Sequence, residues 1–165
     1  MPEAWVAAGS NVEPRANLRR AVMALRTLFP DLRESRAWSN PAVDFAGDDF
    51  INLVVGFRSD LPLADLLARL KAIEQAAGRA PGAPKWGPRT LDLDLLLYGD
   101  TVGTEAGARL PHPDLLRRAF VLGPLAELAP QLRHPVLGTT VAELWQRFDR
   151  RAHPLTEVSL EEPLR

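Results

Sequence analysis

The chain has 165 residues, and its 20 basic and 21 acidic side chains leave a formal net charge of −1. This length predicts a single domain, residues 1–165, with a core of its own, and the near-neutral charge argues against a surface that binds nucleic acid or an anionic membrane. Because the sequence contains no cysteine, disulfides, thiolate catalysis and sulfur-ligated zinc are excluded.

Apolar residues mark the elements of the first half of the chain. A short apolar run at residues 4–8 predicts a strand that leads into a turn. From Pro14 the apolar residues recur at helical spacing, so a helix is predicted that ends before Pro30. A strand of mixed polarity is predicted at residues 32–38, and the apolar segment 50–58 predicts a second strand.

The second half begins with an amphipathic helix that starts beside Pro62 and ends at Gly78. A loop rich in Pro and Gly follows, and then a strand that alternates Leu with Asp. Short helices are predicted through Arg118, between Pro124 and Pro130, and from Thr140, where a hydroxyl and a Glu three residues later form a capping box. The tail from about residue 152 is expected to be mobile.

The order strand, helix, strand, strand, helix, strand is that of the ferredoxin-like split βαβ arrangement. We therefore predict an α+β fold with a βαββαβ core, in which an antiparallel sheet is flanked by helices and extra helices follow at the C-terminus.

The strand after the loop carries the most informative motif, Leu91-Asp92-Leu93-Asp94-Leu95. Side chains alternate between faces, so the two Asp residues point the same way, roughly 6.5–7 Å apart along the backbone, while the Leu residues point into a core. Two like charges on one face repel, and Mg²⁺ bound by carboxylate oxygens would relieve this repulsion. The alternative to a metal site is an edge strand whose solvent face carries the two Asp residues, which form ordinary ion pairs with Arg residues opposite them.

Three cations, Arg79, Lys85 and Arg89, lie in the loop just before this strand. They are placed to neutralise phosphate charge, so the segment predicts a phosphate-and-metal site.

Asn52 is a polar residue inside an otherwise apolar strand. A buried amide is costly when its hydrogen bonds are not made. A bound ligand would explain Asn52, although hydrogen bonds to neighbouring backbone would explain it as well.

Taken together, these segments resemble the 6-hydroxymethyl-7,8-dihydropterin pyrophosphokinase family, which moves diphosphate from ATP to a pterin alcohol. The resemblance covers nearly the whole chain, and the segment Trp86 to Asp94 is the most specific part. The other matching segments are Gly9-Ser10-Asn11, Phe50-Ile51-Asn52, Gly78-Arg79, Leu110-Pro111-His112-Pro113 and Arg118-Ala119-Phe120.

The resemblance implies that Asp92 and Asp94 hold two Mg²⁺ ions that bridge the phosphates of ATP. It assigns Arg79 and Arg89, together with the two Asp residues, to catalysis. Lys85 stands where the family more often has Arg, so a contact of lower geometric specificity is expected there. The residues that it implies for ATP binding are Lys71, Glu74, Arg79, Lys85, Trp86, Arg89, His112 and Arg118. Without the family pattern, Glu74 would be a solvated helix residue and His112 a turn residue.

The resemblance implies a pterin site in which Asn52 binds the edge of the ring and Phe120 stacks on one face. Taken alone, Phe120 would be a core residue. The residues that the resemblance implies for pterin binding are Asn40, Pro41, Val43, Asn52 and Phe120. The second stacking residue is left open, with Trp38 and Phe45 as candidates.

Two rival interpretations use the same order of elements. RNA-recognition modules stack bases on aromatic residues within a strongly basic surface, whereas this chain has two Asp residues and a balanced charge. A small-molecule sensor is the other, since a fold does not dictate function. A third interpretation keeps the metal-dependent transfer and changes the acceptor.

We expect ATP and the pterin as ligands, no nucleic-acid or membrane partner, and a monomer or weak dimer. The N-terminus lacks a basic segment followed by an apolar one, and no apolar run approaches the ~20 residues of a membrane span. We therefore expect a cytoplasmic protein.

Overall fold

The computed structural model describes residues 1–41, 49–78 and 90–161. The strands in these ranges are β1 (Glu3–Ser10), β2 (Arg33–Glu34), β3 (Ala37–Asn40), β4 (Phe50–Arg58), β5 (Asp92–Tyr98), β6 (Gly103–Glu105), β7 (Ala108–Leu110) and β8 (Thr156–Val158). The helices are α1 (Pro14–Leu28), α2 (Leu63–Ala76), α3 (Ala119–Leu128) and α4 (Val141–Arg147), with a 3₁₀ turn at Pro113–Leu115.

The main sheet has the strand order β5-β1-β4-β3-β8, with β2 also paired to β4, and all of its pairings are antiparallel. The order β1, α1, β2 and β3, β4, α2, β5 along the chain is the predicted βαββαβ core. The predicted α+β fold is confirmed.

The sheet separates two apolar clusters. On one face, α1 and α2 cover a cluster that includes Val6, Leu53 and Leu93. On the other face, α3 and α4 cover a cluster that includes Trp5 and Val54. The alternation of side chains along the strands explains why one sheet serves two cores.

The alternation along β5 places its residues as predicted. Leu91, Leu93 and Leu95 are buried in the cluster under α1 and α2, so Asp92 and Asp94 point to the opposite face. The register between β1 and β5 shifts between Trp5 and Val6. The two Asp residues pair with Ala7 and Gly9, so they lie in the regular part of the pairing.

The predicted strand at residues 32–38 is interrupted. Ser35 separates β2 from β3, and its hydroxyl accepts a hydrogen bond from the backbone N–H of Val54 at 2.9 Å. Both β2 and β3 pair with β4, but their registers differ by one residue. Glu34 of β2 lies opposite Val55, and Trp38 of β3 lies opposite Asn52.

The region after β5 differs from the prediction of separate short helices. The predicted helix through Arg118 is a 3₁₀ turn at Pro113–Leu115, and α3 runs unbroken across Pro124. Pro124 is buried, with Val121, Leu122 and Leu125 of the same helix. Burial of this apolar helix outweighs the backbone hydrogen bond that proline cannot make.

Three further features complete the described fold. A hairpin of β6 and β7 follows a turn at residues 98–101, in which the N–H of Thr101 donates to the carbonyl oxygen of Tyr98 at 3.1 Å. In the tail, β8 pairs with β3, with Trp38 opposite Glu157. At the start of α4, one of the two hydrogen bonds of the predicted capping box is observed: Thr140 Oγ1 accepts from the N–H of Glu143 at 3.2 Å.

Within the three described ranges, no helix combines the length and the apolar character needed to cross a membrane.

Candidate active site

A row of four residues crosses the sheet at the end of β1. Asp92 of β5 lies opposite Gly9 of β1, Gly9 lies opposite Asn52 of β4, and Asn52 lies opposite Trp38 of β3. Residues paired in register on antiparallel strands share a face. The predicted metal-binding pair and the predicted pterin-binding amide therefore lie on the same face of the sheet.

The carboxylate of Asp94 lies in an electrostatically unfavourable place. Burial, which is the largest cause, and the nearby carboxylates of Asp92, Glu74 and Asp114 together raise the pKa of Asp94 to about 8. Two causes therefore disfavour the ionised form, desolvation and like charge. A cation at this position would favour the ionised form instead.

Glu74 of α2 contacts the backbone between the two Asp residues. Its Oε2 accepts a hydrogen bond from the N–H of Leu93 at 2.7 Å. The prediction placed Glu74 in the nucleotide site, with a solvated helix residue as the alternative. In the structure Glu74 is half-buried, and it ties α2 to the strand that carries the Asp pair.

The two Asn residues predicted for pterin binding contact each other. Both are 6 % exposed, and the Asn52 Nδ2 donates to the Asn40 Oδ1. The Asn40 Nδ2 in turn donates to the carbonyl oxygen of Pro41 at 2.8 Å. The prediction for Asn52 left open a bound ligand or neighbouring backbone, whereas the partner that accepts from its N–H is the side chain of Asn40.

Gly9 shapes the space around the Asn52 amide. A Cβ atom built on Gly9 would lie 2.8 Å from the Asn52 Oδ1. A methyl group at position 9 would therefore displace the Asn52 amide, whereas glycine leaves the acceptor oxygen in its place in the row.

Helix α3 brings Phe120 to the same face of the sheet. Phe120 is the second residue of α3 and packs against the cluster that α3 covers. It is half-buried, so part of its surface is accessible, as a stacking residue requires.

The other residues predicted for ATP binding lie at various positions in the described structure. The Nδ1 of His112 accepts from the N–H of Asp114 at 3.1 Å, so the ring caps the 3₁₀ turn. Arg118 is the residue that precedes α3. Lys71 is exposed on α2.

Several predicted site residues lie outside the described residues. They are Val43, Arg79, Lys85, Trp86 and Arg89, and the stacking candidate Phe45 is a further one.

The sequence prediction gave no role to the Ser10 hydroxyl. Ser10 is fully buried, and its Oγ donates to the carbonyl oxygen of Thr90 at 2.6 Å. This bond joins the end of β1 to the residue that precedes Leu91 and Asp92. A serine directly after an apolar strand is a weak signal, because turn residues often have this composition.

The donor set at Asp92 and Asp94 fits Mg²⁺ bound together with a phosphate ligand. Mg²⁺ prefers oxygen ligands and commonly takes one or two protein carboxylates, with water and substrate phosphate completing the shell. Among the described residues, no group of three or more His, Cys, Asp or Glu side chains could hold a metal ion. Two carboxylates alone would leave most of the shell of such an ion to water and phosphate oxygens.

Comparison with known proteins adds independent information. The family model described as 7,8-dihydro-6-hydroxymethylpterin-pyrophosphokinase matches residues 5–130. A relative from Synechocystis sp., named 2-amino-4-hydroxy-6-hydroxymethyldihydropteridine pyrophosphokinase, is 39% identical over 149 residues, which are 88% of this chain and 76% of the relative. A relative of the same name from Pseudomonas aeruginosa is 41% identical over 136 residues, 79% of this chain and 83% of the relative.

Solved structures share the fold. A crystal structure of Plasmodium falciparum HPPK-DHPS with pteroate matches with a TM-score of 0.70 and 13% sequence identity. The match covers 91% of this chain and 45% of that chain.

The chain belongs to the 7,8-dihydro-6-hydroxymethylpterin-pyrophosphokinase family. It is thus a transferase of the pyrophosphokinase class.

Proposed function

We propose that this chain transfers diphosphate from ATP to the hydroxymethyl group of 6-hydroxymethyl-7,8-dihydropterin, giving AMP and the pterin diphosphate in tetrahydrofolate biosynthesis. Family membership supports this reaction. The observation that carries it is the row in which the Asp pair and the Asn52 amide share one face of the sheet. In this arrangement a phosphate chain at one end of the row and a pterin at the other would face each other.

Asp92 and Asp94 are the residues that would hold Mg²⁺, and we propose two ions. Bound there with ATP, two ions would neutralise phosphate charge and stabilise the attacking and leaving oxygens of an in-line displacement. The raised pKa of Asp94 supports a cation site, since a cation would offset the repulsion among the surrounding carboxylates.

We assign the remaining roles by the chemistry of each side chain. Asn52 offers both a donor and an acceptor to the amide-like edge of the pterin, and Phe120 offers an aromatic face for stacking. Arg79 and Arg89 would bind the triphosphate through their planar guanidinium groups. Phosphoryl transfer depends mainly on position and charge neutralisation, so the proposal requires no nucleophilic side chain.

The Asp pair is tested by Asp94→Ala. We expect AMP formation from ATP and the pterin to fall by roughly 10³-fold or more, because metal ions supply several kcal/mol of transition-state stabilisation. The fold, followed by circular dichroism, should remain. The exposed Asp60→Ala is the matched control and should keep the wild-type rate. A normal rate and a normal Mg²⁺ requirement in Asp94→Ala would refute the assignment.

The pterin site is tested by Asn52→Ala. We expect pterin binding, measured by calorimetry in the presence of a non-hydrolysable ATP analogue and Mg²⁺, to weaken by about 1–3 kcal/mol. Binding of the ATP analogue should be unchanged. If pterin affinity were also unchanged, the role proposed for Asn52 would be wrong.

We also propose that the enzyme works in the cytoplasm as a monomer or weak dimer. The near-neutral charge supports the absence of nucleic-acid and membrane partners. Analytical ultracentrifugation across a range of protein concentrations measures the oligomeric state, and a stable larger assembly would contradict this part of the proposal.

A further inference from the structure

Glu127, near the end of α3, binds Trp38 of β3 with one carboxylate oxygen and Arg36, the residue before β3, with the other. Its Oε2 accepts from the backbone N–H of Arg36 at 3.0 Å and contacts the Arg36 Nε at 3.3 Å. Its Oε1 accepts from the indole Nε1 of Trp38 at 3.3 Å. Both hydrogen bonds are exposed, and the Arg36 side chain is 56% exposed, so the charge of Glu127, and not burial, is what strengthens them.

The strand that Glu127 holds is the one that leads into the proposed pterin site. Trp38 lies opposite Asn52 in the cross-strand row. Asn40, two residues further along β3, points to the same face and accepts from the Asn52 amide. A shift of β3 relative to α3 would therefore move Asn40 against the ring edge that Asn52 is proposed to bind.

The helix that carries Glu127 also carries Phe120. The two residues are seven positions apart in α3, so they lie on the same side of the helix, about two turns or ~10.5 Å apart. Pro124 lies between them and cannot donate the usual hydrogen bond to the carbonyl of Phe120. External anchors at the end of α3 consequently matter more for the position of Phe120 than in an uninterrupted helix.

Arg36 connects the same network to the tail. Its Nη1 lies 3.2 Å from the Glu157 Oε1 of β8, and its guanidinium lies 5.0 Å from the centre of the Trp38 ring. The stacked cation restrains the indole in the orientation that donates to Glu127.

We propose that Glu127 is a positioning residue for the pterin. It fixes the distance between the helix that carries Phe120 and the strand that carries Asn40, so that the aromatic face and the two amides fit one ring. The inference rests on the proposed function and adds a determinant of pterin affinity that does not touch the pterin.

Two variants test this inference. Glu127→Gln keeps the shape of the side chain and removes the charge that binds Arg36. Trp38→Phe keeps an aromatic ring under the Arg36 guanidinium and removes the N–H donor together with part of the ring. In each variant we expect the pterin Kd, measured by calorimetry with a non-hydrolysable ATP analogue and Mg²⁺, to rise about fivefold to tenfold, the effect of losing one hydrogen bond.

Two further measurements separate a positioning role from general support of the fold. The KM for the pterin should rise while the KM for ATP and kcat at saturating pterin stay within about twofold of wild type. The double variant should weaken pterin binding by less than the sum of the two single effects, because both changes act on the contacts of one carboxylate.

The matched control is Glu34→Gln, which breaks a surface ion pair with Arg26 of 3.2 Å away from Trp38 and α3. Its pterin Kd should equal that of wild type. Equal weakening of pterin and ATP-analogue binding in Glu127→Gln, with a lower melting temperature, would show general support of the fold and overturn the inference.

The proposed function and the inference can fail separately. If Asn52→Ala weakens pterin binding while Glu127→Gln and Trp38→Phe leave it unchanged, the inference is overturned and the proposed function stands. If the wild-type protein does not bind the pterin, both are overturned.

Discussion

At each of the two ends of one sheet face, a glycine lies opposite a larger residue on the neighbouring strand. At one end, Gly56 of β4 lies opposite Trp5 of β1, and a Cβ atom on Gly56 would lie 2.2 Å from the indole ring. At the other end the strands exchange roles, and Gly9 of β1 makes room for Asn52 of β4. In both places the missing side chain lets a cross-strand neighbour lie flat against the backbone.

The difference lies in what the accommodated side chain does. Trp5 is 2 % exposed and packs in the cluster under α3 and α4, so Gly56 contributes to stability. Asn52 presents hydrogen-bonding groups in a row with Asp92, so Gly9 contributes to the proposed binding site. The comparison suggests that stability and function can be perturbed separately on one face of the sheet.

The largest expected effect is that of Gly56→Ala on stability. The methyl group would overlap a rigid, fully packed indole, and overpacking of this kind costs about 3 kcal/mol. For a chain of this size the melting temperature should fall by about 6–12 °C. Thermal unfolding followed by circular dichroism measures this change.

Gly103→Ala is not a suitable control, because Gly103 has a positive φ of 124°. An exposed position in regular helix, such as Lys71→Ala, shows the effect of a neutral surface change on melting. If Gly56→Ala had the same melting temperature as the wild type, the prediction would be wrong, because the buried Trp5 ring would have moved aside without cost.

A smaller effect is expected for Gly9→Ala, and it should appear in binding. The methyl group would meet the end of a flexible side chain, so the Asn52 amide can move aside at a cost of about 1 kcal/mol or less. The displaced amide should raise the pterin Kd about fivefold, while the affinity for an ATP analogue stays unchanged. A large loss of stability with normal pterin affinity would contradict the comparison.

The smallest expected effect concerns the pH dependence of stability. Asp94 has an ordinary pKa of 3.8 and a pKa of about 8 in the folded protein. Between these values the folded chain keeps a proton that the unfolded chain has lost, so the free energy of unfolding falls as the pH rises from 3.8 towards 8. Asp94→Asn removes this contribution.

Asp94 is half-buried, and relaxation with water penetration lowers the cost of ionising such a group. We therefore expect Asp94→Asn without divalent ions to melt about 2–4 °C above wild type near pH 8, corresponding to about 1 kcal/mol. The two proteins should melt together near pH 4. Added Mg²⁺ and ATP analogue should stabilise the wild type more than the variant. A difference in melting temperature that did not change with pH would contradict the assigned cause.

Local patterns predicted much of the fold. The strand at residues 50–58 was predicted with the bounds of β4, and α1 and α2 follow their helical spacing. The alternation of Leu and Asp predicted which side chains of β5 enter the core. These elements share a long, regular pattern that the sequence displays without reference to other parts of the chain.

Non-local contacts explain what the sequence did not predict. The strand β8 has three residues and exists through its pairing with β3, while α3 continues past Pro124 because its apolar residues are buried. At the site, the bond from Ser10 to Thr90 and the contact of Glu127 with Trp38 join residues 80 and 89 positions apart. No local spacing indicates such partners.

The hydrogen bond from Leu93 to Glu74 has a consequence for association between molecules. In the described sheet β5 is the outermost strand and pairs only with β1, and such an edge ordinarily offers unpaired backbone groups to foreign strands. The Glu74 carboxylate already accepts the hydrogen bond of the Leu93 N–H, which lies between the two Asp residues. The carbonyl oxygens of an approaching strand would also be repelled by the carboxylates of Glu74 and the Asp pair. The edge that would bind the nucleotide is thereby protected against self-assembly through strand addition.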